Sequence, residues 1–295
     1  MRLGSRNRPA ARAAERSPVP AAAPDQVGSR LIDSGEFSGD ELARIADYQA
    51  RTGATFADAA VELGLIGPEA VSRALAEHAQ AGLVDPEASG ISRAVVAAFD
   101  PLDPLALKLR ALRSTLFGPD DMRGPEARVL LLAGVGTADT PGVAANLAVL
   151  VAQLGFPGLL VDANFAAPTQ HALFGLDNGE GVTSVLTGGG EEAAVAPTPV
   201  PNLDLLSAGP EIAALSETVE RVSLVGQIRA MRAGHRFVIV DAGDQAPEVT
   251  AALARGADGV LIVAERRRTS IEAMRALLGR LESNEIPVLG TVLAR

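Results

Sequence analysis

Two aspartates, Asp162 and Asp241, each close an apolar run, and a loop of small residues from Gly136 to Gly142 follows a third. Neighbouring carboxylates at strand ends can hold magnesium or act as an acid and base pair. A loop between a strand and a helix can cradle phosphate on its backbone amides. In nucleoside triphosphate sites that loop reads G-x-x-x-x-G-K-[ST], with a lysine on the phosphates and a hydroxyl on the magnesium. The stretch here, GVGTADTPG, keeps the small residues and lacks both the lysine and the hydroxyl that follows it. The scaffold of a phosphate site is present without its charge.

The elements that position these residues follow from periodicity. Arg128 to Asn164 reads as strand, loop, helix and strand. Strands are expected near Val129 to Leu132, Leu159 to Asp162, Leu203 to Leu206, Phe237 to Asp241, Gly259 to Val263 and Val288 to Leu293, with helical patterns filling most of the gaps. Continuous apolar strands joined by helices predict an α/β fold with a doubly wound, mostly parallel sheet, preceded by a small helical domain. Ligands in such sheets bind at the carboxyl ends of the strands, here Ala133 to Gly142, Asp162 to Asn164 and Asp241 to Asp244.

Composition narrows the classes. The chain has 295 residues, 47% hydrophobic and 21% charged, enough for a sizeable core. A net charge of -10 argues against nucleic acid as a general partner. No cysteine offers a disulfide or a thiolate metal site, and no metal centre is expected. No apolar run reaches membrane-spanning length and Met1 to Pro20 lacks a secretory core, so a cytoplasmic location is expected. Lys108 is the only lysine.

Four segments are expected. Residues 1–25, with Arg2, Arg6, Arg8, Arg12 and Arg16 among Ala, Pro and Ser, read as a disordered arm. Residues 26–83 read as a helical module duplicated at a spacing of 29: Gly35 pairs with Gly64, Leu42 with Val71 and Gln49 with His78. Ser38 and Glu41 predict a capping box, and Pro68 a first helical turn. Residues 84–104 lose the period and read as a linker, and 105–295 carry the core.

The duplicated module resembles the N-terminal domain of type II secretion and type IV pilus ATPases. Some of those bind cyclic di-GMP through an Arg-Leu-Gly opening in each half. Here the openings are Gln26-Val27-Gly28 and Thr55-Phe56-Ala57, without the arginines. Protein docking, nucleotide sensing and structural capping remain open.

The segment PLALKLRALRSTLFG is similar to the E-x-x-R-x-x-R helix of bacterial tyrosine autokinases of capsule and exopolysaccharide systems, where it mediates self-association. Arg110 and Arg113 match, while Leu107 takes the glutamate position. The resemblance continues through the core, a fold shared with septum-site and plasmid-partitioning ATPases. Asp162, Pro168, His171, Phe174 and Gly175 fall on the autokinase family's second acidic motif. Asp241, and later Asp258 and Gly259, fall on its third, and Ala145 and Asn146 on the helix after its phosphate loop.

The departures cluster where a triphosphate would lie. Aligned on Ala145 and Asn146, the family's Gly-Lys-Ser-Thr falls on Asp139, Thr140, Pro141 and Gly142, so Gly136, Thr137, Asp139, Thr140, Pro141 and Gly142 form a relict loop. No Lys or Arg lies between Arg128 and Arg221 to substitute for the missing cation. Pro141 offers neither hydroxyl nor amide. Asp139 or Thr140 before Pro141 is a helix start, so the loop is expected to cap its own helix. The Asp-x-Asp pair reads Asp162 and Asn164, the motif arginine is Ala166, and the only tyrosine is Tyr48, far from the family's C-terminal tyrosine cluster.

These features predict a core that has lost nucleotide chemistry, with Asp162 and Asp241 as relict acids and no cofactor; ATP and magnesium would bind only if the site functions despite its sequence. The resemblance implies a regulatory or scaffolding role in exopolysaccharide assembly, on a membrane polysaccharide copolymerase or an active paralogue, with peripheral membrane placement through that partner. Open alternatives are a residual kinase or ATPase using Arg110 or Arg113 from a neighbouring subunit, a partitioning-type regulator, and a cyclic di-GMP sensor. His78, His171 and His235 have no metal spacing, and Arg266, Arg267 and Arg268 form either an anion patch or a solvated turn.

Overall fold

The computed structural model describes residues 37–52, 56–67, 83–117, 127–189, 194–231 and 234–294. Two compact units divide at Leu75 and Ala76. The arm at 1–25, the opening Gln26 to Gly28 and Pro68 with its helical turn lie outside the described residues.

In the first unit, α1 (Gly39–Thr52) and α2 (Phe56–Glu62) bury Ile45, Ala59 and Ala60 between them. The expected capping box forms: Ser38 N and Oγ donate to Glu41 Oε2 at 2.8 and 2.7 Å. Those bonds hold the Glu41 carboxyl below its usual range.

The second unit carries one sheet of seven strands in the order β3-β4-β2-β5-β1-β6-β7. They are β1 (Arg128–Val135), β2 (Gly158–Asp162), β3 (Val195–Pro197), β4 (Leu203–Leu206), β5 (Phe237–Asp241), β6 (Gly259–Glu265) and β7 (Val288–Ala294). All pairs are parallel except β3 with β4. The six expected strands are all present; β3 is the additional one, too short and too proline-containing to stand out as a strand.

Alternation along each strand builds two cores. Leu130, Leu132, Leu160, Ile239 and Leu261 face one side, where they meet α3 (Pro104–Leu116) and α4 (Thr140–Ala152). Leu131, Val161, Val240 and Ile262 face the other, under α8 (Leu224–Ala230), α9 (Pro247–Leu253) and α10 (Ile271–Ser283). The short helices α5 (Gln170–Leu173), α6 (Val182–Leu186) and α7 (Leu215–Arg221) lie in the connections. This is the doubly wound arrangement expected, and α4 is buried along nearly its whole length.

Residues 84–104, which carry no period, do not run free. Ile91, Val95, Ala97 and Ala98 are buried in the first core. The fully buried Asn146 of α4 holds them: its Oδ1 accepts from Ala97 N at 2.8 Å and its Nδ2 donates to Ala94 O at 3.0 Å. Gln153 Nε2 donates to Ala97 O at 2.9 Å, and Ser92 N to Leu173 O. The segment is ordered by side chains of a distant helix, which local periodicity cannot register.

Candidate functional site

The register of the central strands sets Asp162 of β2 beside Asp241 of β5, at the carboxyl ends and next to the loop that leaves β1. Both are fully buried.

Their oxygens are committed. Asp162 Oδ1 accepts from Asn164 N at 3.1 Å, and its Oδ2 from Thr169 N and Gln170 N, each at 2.9 Å. Asp241 Oδ1 accepts from Gly243 N at 3.0 Å, and its Oδ2 from Gln170 Nε2 at 2.7 Å. Asp162 therefore shapes the turn into α5, and Asp241 the turn after β5. Burial raises the Asp162 carboxyl despite three amide donors. Burial, reinforced by the neighbouring Asp162 charge, pushes Asp241 up to about 7 although Gln170 opposes it.

The helix opening after the relict loop is likewise engaged within the chain. Asp139 caps α4: its Oδ1 accepts from Gly142 N at 3.0 Å, and its carbonyl accepts from Val143 N at 3.2 Å. Thr140 N donates to Ala138 O at 2.8 Å, and Pro141 has no amide. Gly134 N donates to Gly243 O at 2.7 Å. The four positions that open the helix thus present no uncommitted amide to an anion, and a carboxylate sits at the positive helix end. Thr140, in the lysine position, is 1% exposed, its hydroxyl packed beside Gly134. A Cβ at Gly142 would overlap the Asp139 carboxylate, so a glycine is required for this cap.

This donor set fits magnesium poorly: Pro141 supplies no oxygen from its side chain, and every oxygen of the two carboxylates already accepts a hydrogen bond from the protein. Among the described residues no cluster of three His, Cys, Asp or Glu could hold a metal.

Gln170 was not anticipated. Fully buried, it donates through Nε2 to Pro141 O at 3.1 Å as well as to Asp241, tying the loop to the acidic pair. Its place between Pro168 and His171 in the acidic motif was the available signal. Glu265 was missed as well: Thr137 Oγ1 donates to Glu265 Oε2 at 2.7 Å, and Arg268 pairs with Glu265 at 3.3 Å. Thr269 Oγ1 donates to Val135 O at 2.9 Å. The turn carrying Arg266, Arg267 and Arg268 is therefore stapled to the rim of the loop. Read from the sequence as an anion patch or a solvated turn, these arginines follow a strand end that borders the loop.

Arg110 and Arg113 are half-buried and engaged within the chain. Arg113 Nη1 donates to Leu150 O of α4 at 2.9 Å, and Arg110 Nη1 to Pro101 O. Burial and the adjacent Arg110 lower the Arg113 pKa. His171 flanks Asp162, while His235 pairs with Asp204 at 2.9 Å, away from the site. A cleft of about 570 Å³ opens past β2 and β4, lined by Phe165, Pro168, Thr183, Pro210, Leu215 and Gln245 among others, with Glu211 the only charged one among the described residues that line it.

No protein-family model matches the chain. It is 29% identical over 188 residues to the tyrosine-protein kinase wzc of Salmonella typhimurium, a match spanning 63% of this chain and 26% of that protein. It is 47% identical over 68 residues to the tyrosine-protein kinase YwqD of Bacillus subtilis, spanning 23% of this chain and 29% of that one. The chain thus spans between a quarter and a third of the length of these relatives. Among solved structures, the chimerical protein CapA2B2 superposes with a TM-score of 0.59 at 25% identity, over 68% of this chain and 89% of the other. In sequence and in fold, the core of this chain is a relative of the bacterial tyrosine-protein kinases.

Proposed function

We propose that the core is a nucleotide-silent relative of these kinases, working as a regulatory or scaffolding subunit of an exopolysaccharide assembly system. One observation carries the reading: the amides that open α4 are spent on Asp139 and the loop itself, with Thr140 and Pro141 where a cation and a magnesium ligand belong. A polyanion at this helix end would meet a carboxylate and a first turn whose amides are already engaged. The partner we infer is a membrane polysaccharide copolymerase or an active kinase paralogue, which would bring the chain to the membrane from the cytoplasmic side. No helix among the described residues is long and apolar enough to cross a membrane.

The test is calorimetric titration of the full chain with magnesium and ATP, alongside a phosphate-release assay. No binding heat and no turnover are expected at millimolar nucleotide. Tight binding with turnover would overturn the reading. A second reading, a residual kinase or ATPase, is favoured by the arginine turn at the loop rim. In that case activity would be measurable and Arg266→Ala with Arg267→Ala would abolish it.

A further inference from the structure

The cleft past β2 and β4 shares no residue with the relict loop. It is built at the carboxyl ends of three strands, where ligands in such sheets bind. Phe165 and Pro168 follow β2, Pro210 and Ile212 follow β4, and Gln245 follows β5. Its volume of about 570 Å³ lies in the range of a small-ligand site.

The polar groups left over in its wall are mostly acceptors. Asn178 is spent on the wall itself, its Oδ1 accepting from Gly209 N at 2.8 Å and its Nδ2 donating to Gly209 O at 3.2 Å. Gln245 Nε2 donates to Ala163 O at 2.5 Å, which leaves its Oε1 to accept. Pro168 and Pro210 have no amide, and Glu211 brings an exposed carboxylate. Thr183 is 2% exposed and its Oγ1 has no hydrogen-bond partner. That hydroxyl borders Gly209, also in the cleft wall, where a Cβ would come within 2.5 Å of it. An unpaired buried hydroxyl costs free energy that a bound ligand can recover.

The charge of the cleft points the same way. Its described lining residues all fall in two stretches without a cation: no Lys or Arg occurs between Arg128 and Arg221, or between Arg236 and Arg255. Asp177 and Asp244, next in sequence to Asn178 and Gln245, are exposed as well. An anion would find no countercharge here. We propose that this cleft receives a guanidinium group on an apolar stem, as an arginine side chain presents. The guanidinium offers only donors, which suits a wall of acceptors. It is weakly hydrated and packs on aromatic faces, and Phe165 supplies one. Pro168, Ile212 and Leu215 give the stem an apolar bed. The inference does not depend on whether nucleotide binds.

The full chain is titrated calorimetrically at low salt with the capped peptide acetyl-Ala-Arg-Ala-amide, with the same peptide carrying citrulline, and with butylguanidine. The arginine peptide is expected to bind, and the uncharged citrulline peptide to bind at least about tenfold more weakly. Glu211→Gln should weaken binding about threefold. Thr183→Val should weaken it about fivefold without lowering Tm, because the hydroxyl it removes has no partner in the free protein. Ala166→Arg, at an exposed position of the cleft wall, supplies a guanidinium from the chain itself and should abolish binding. Butylguanidine binding as tightly as the peptide identifies a free small molecule as the occupant, and tighter binding of the peptide identifies an arginine of another polypeptide; both uphold the site. No saturable binding of either probe overturns the proposal. So does a citrulline peptide that binds equally well, or binding that is indifferent to Glu211→Gln, Thr183→Val and Ala166→Arg.

Discussion

Replacing Asp241 by asparagine removes a proton equilibrium from the centre of the molecule. Folding raises this carboxyl from 3.8 to about 7. The folded chain therefore holds a proton that the unfolded chain has released, and stability falls as pH rises between those values. The stabilisation is complete below about pH 4 and is lost as pH climbs through about 7. At 1.36 kcal/mol per unit the change amounts to about 4 kcal/mol at most, since Asp162 beside it titrates in concert.

Asparagine stays neutral at every pH. Its oxygen keeps the Gly243 amide, while its new amino group faces the amino group of Gln170. That conflict costs about 1 kcal/mol and is eased in part if Gln170 turns its Oε1, which has no partner, toward the new donor and gives up its bond to Pro141 O. At pH 8.5 Asp241→Asn is expected to stabilise the fold by about 2–3 kcal/mol, raising Tm by roughly 4–12 °C for a domain of this size. At pH 5 it should bring no gain. Thermal melts followed by circular dichroism at both pH values decide it. A wild-type Tm that rises from pH 5 to 8, or a variant that loses the same amount at both, refutes the reasoning.

Other perturbations read the frame around the site. Asn146→Ala strips three hydrogen bonds and should cost about 3 kcal/mol. Hydrogen exchange should show the Ala97 amide losing protection before the strands do. Gly158→Ala drives a methyl into the Phe237 ring, and a loss of about 1–3 kcal/mol is expected as a lower urea midpoint with an unchanged slope. Asp139→Ala removes the cap of α4 and should cost about 1 kcal/mol in the same assay.

The strands were legible because parallel strands buried on both faces leave unbroken apolar runs, as Leu159 to Asp162 and Phe237 to Asp241 do. The cap on α4 was legible because Asp139 and Pro141 act on immediate neighbours. What escaped depends on contacts distant in sequence. Gln170 acquires its role only when β5 brings Asp241 within reach, and the arginine turn borders the loop only through Thr137 and Thr269. Residues 84–104 lack a pattern because Asn146 and Gln153 of a remote helix order them. Short β3 is defined by its antiparallel pairing with β4 and not by a pattern of its own.

The carboxylate of Asp139 also gives the helix after the loop a counter-charge of its own. A fold whose helix opening waits for a solute gains stability by mass action, about 2.7 kcal/mol at a hundredfold excess over the dissociation constant, and loses it when that solute is depleted. In this chain the counter-charge is covalently attached and its effective concentration is fixed. The start of this helix therefore keeps its cap at any solute concentration.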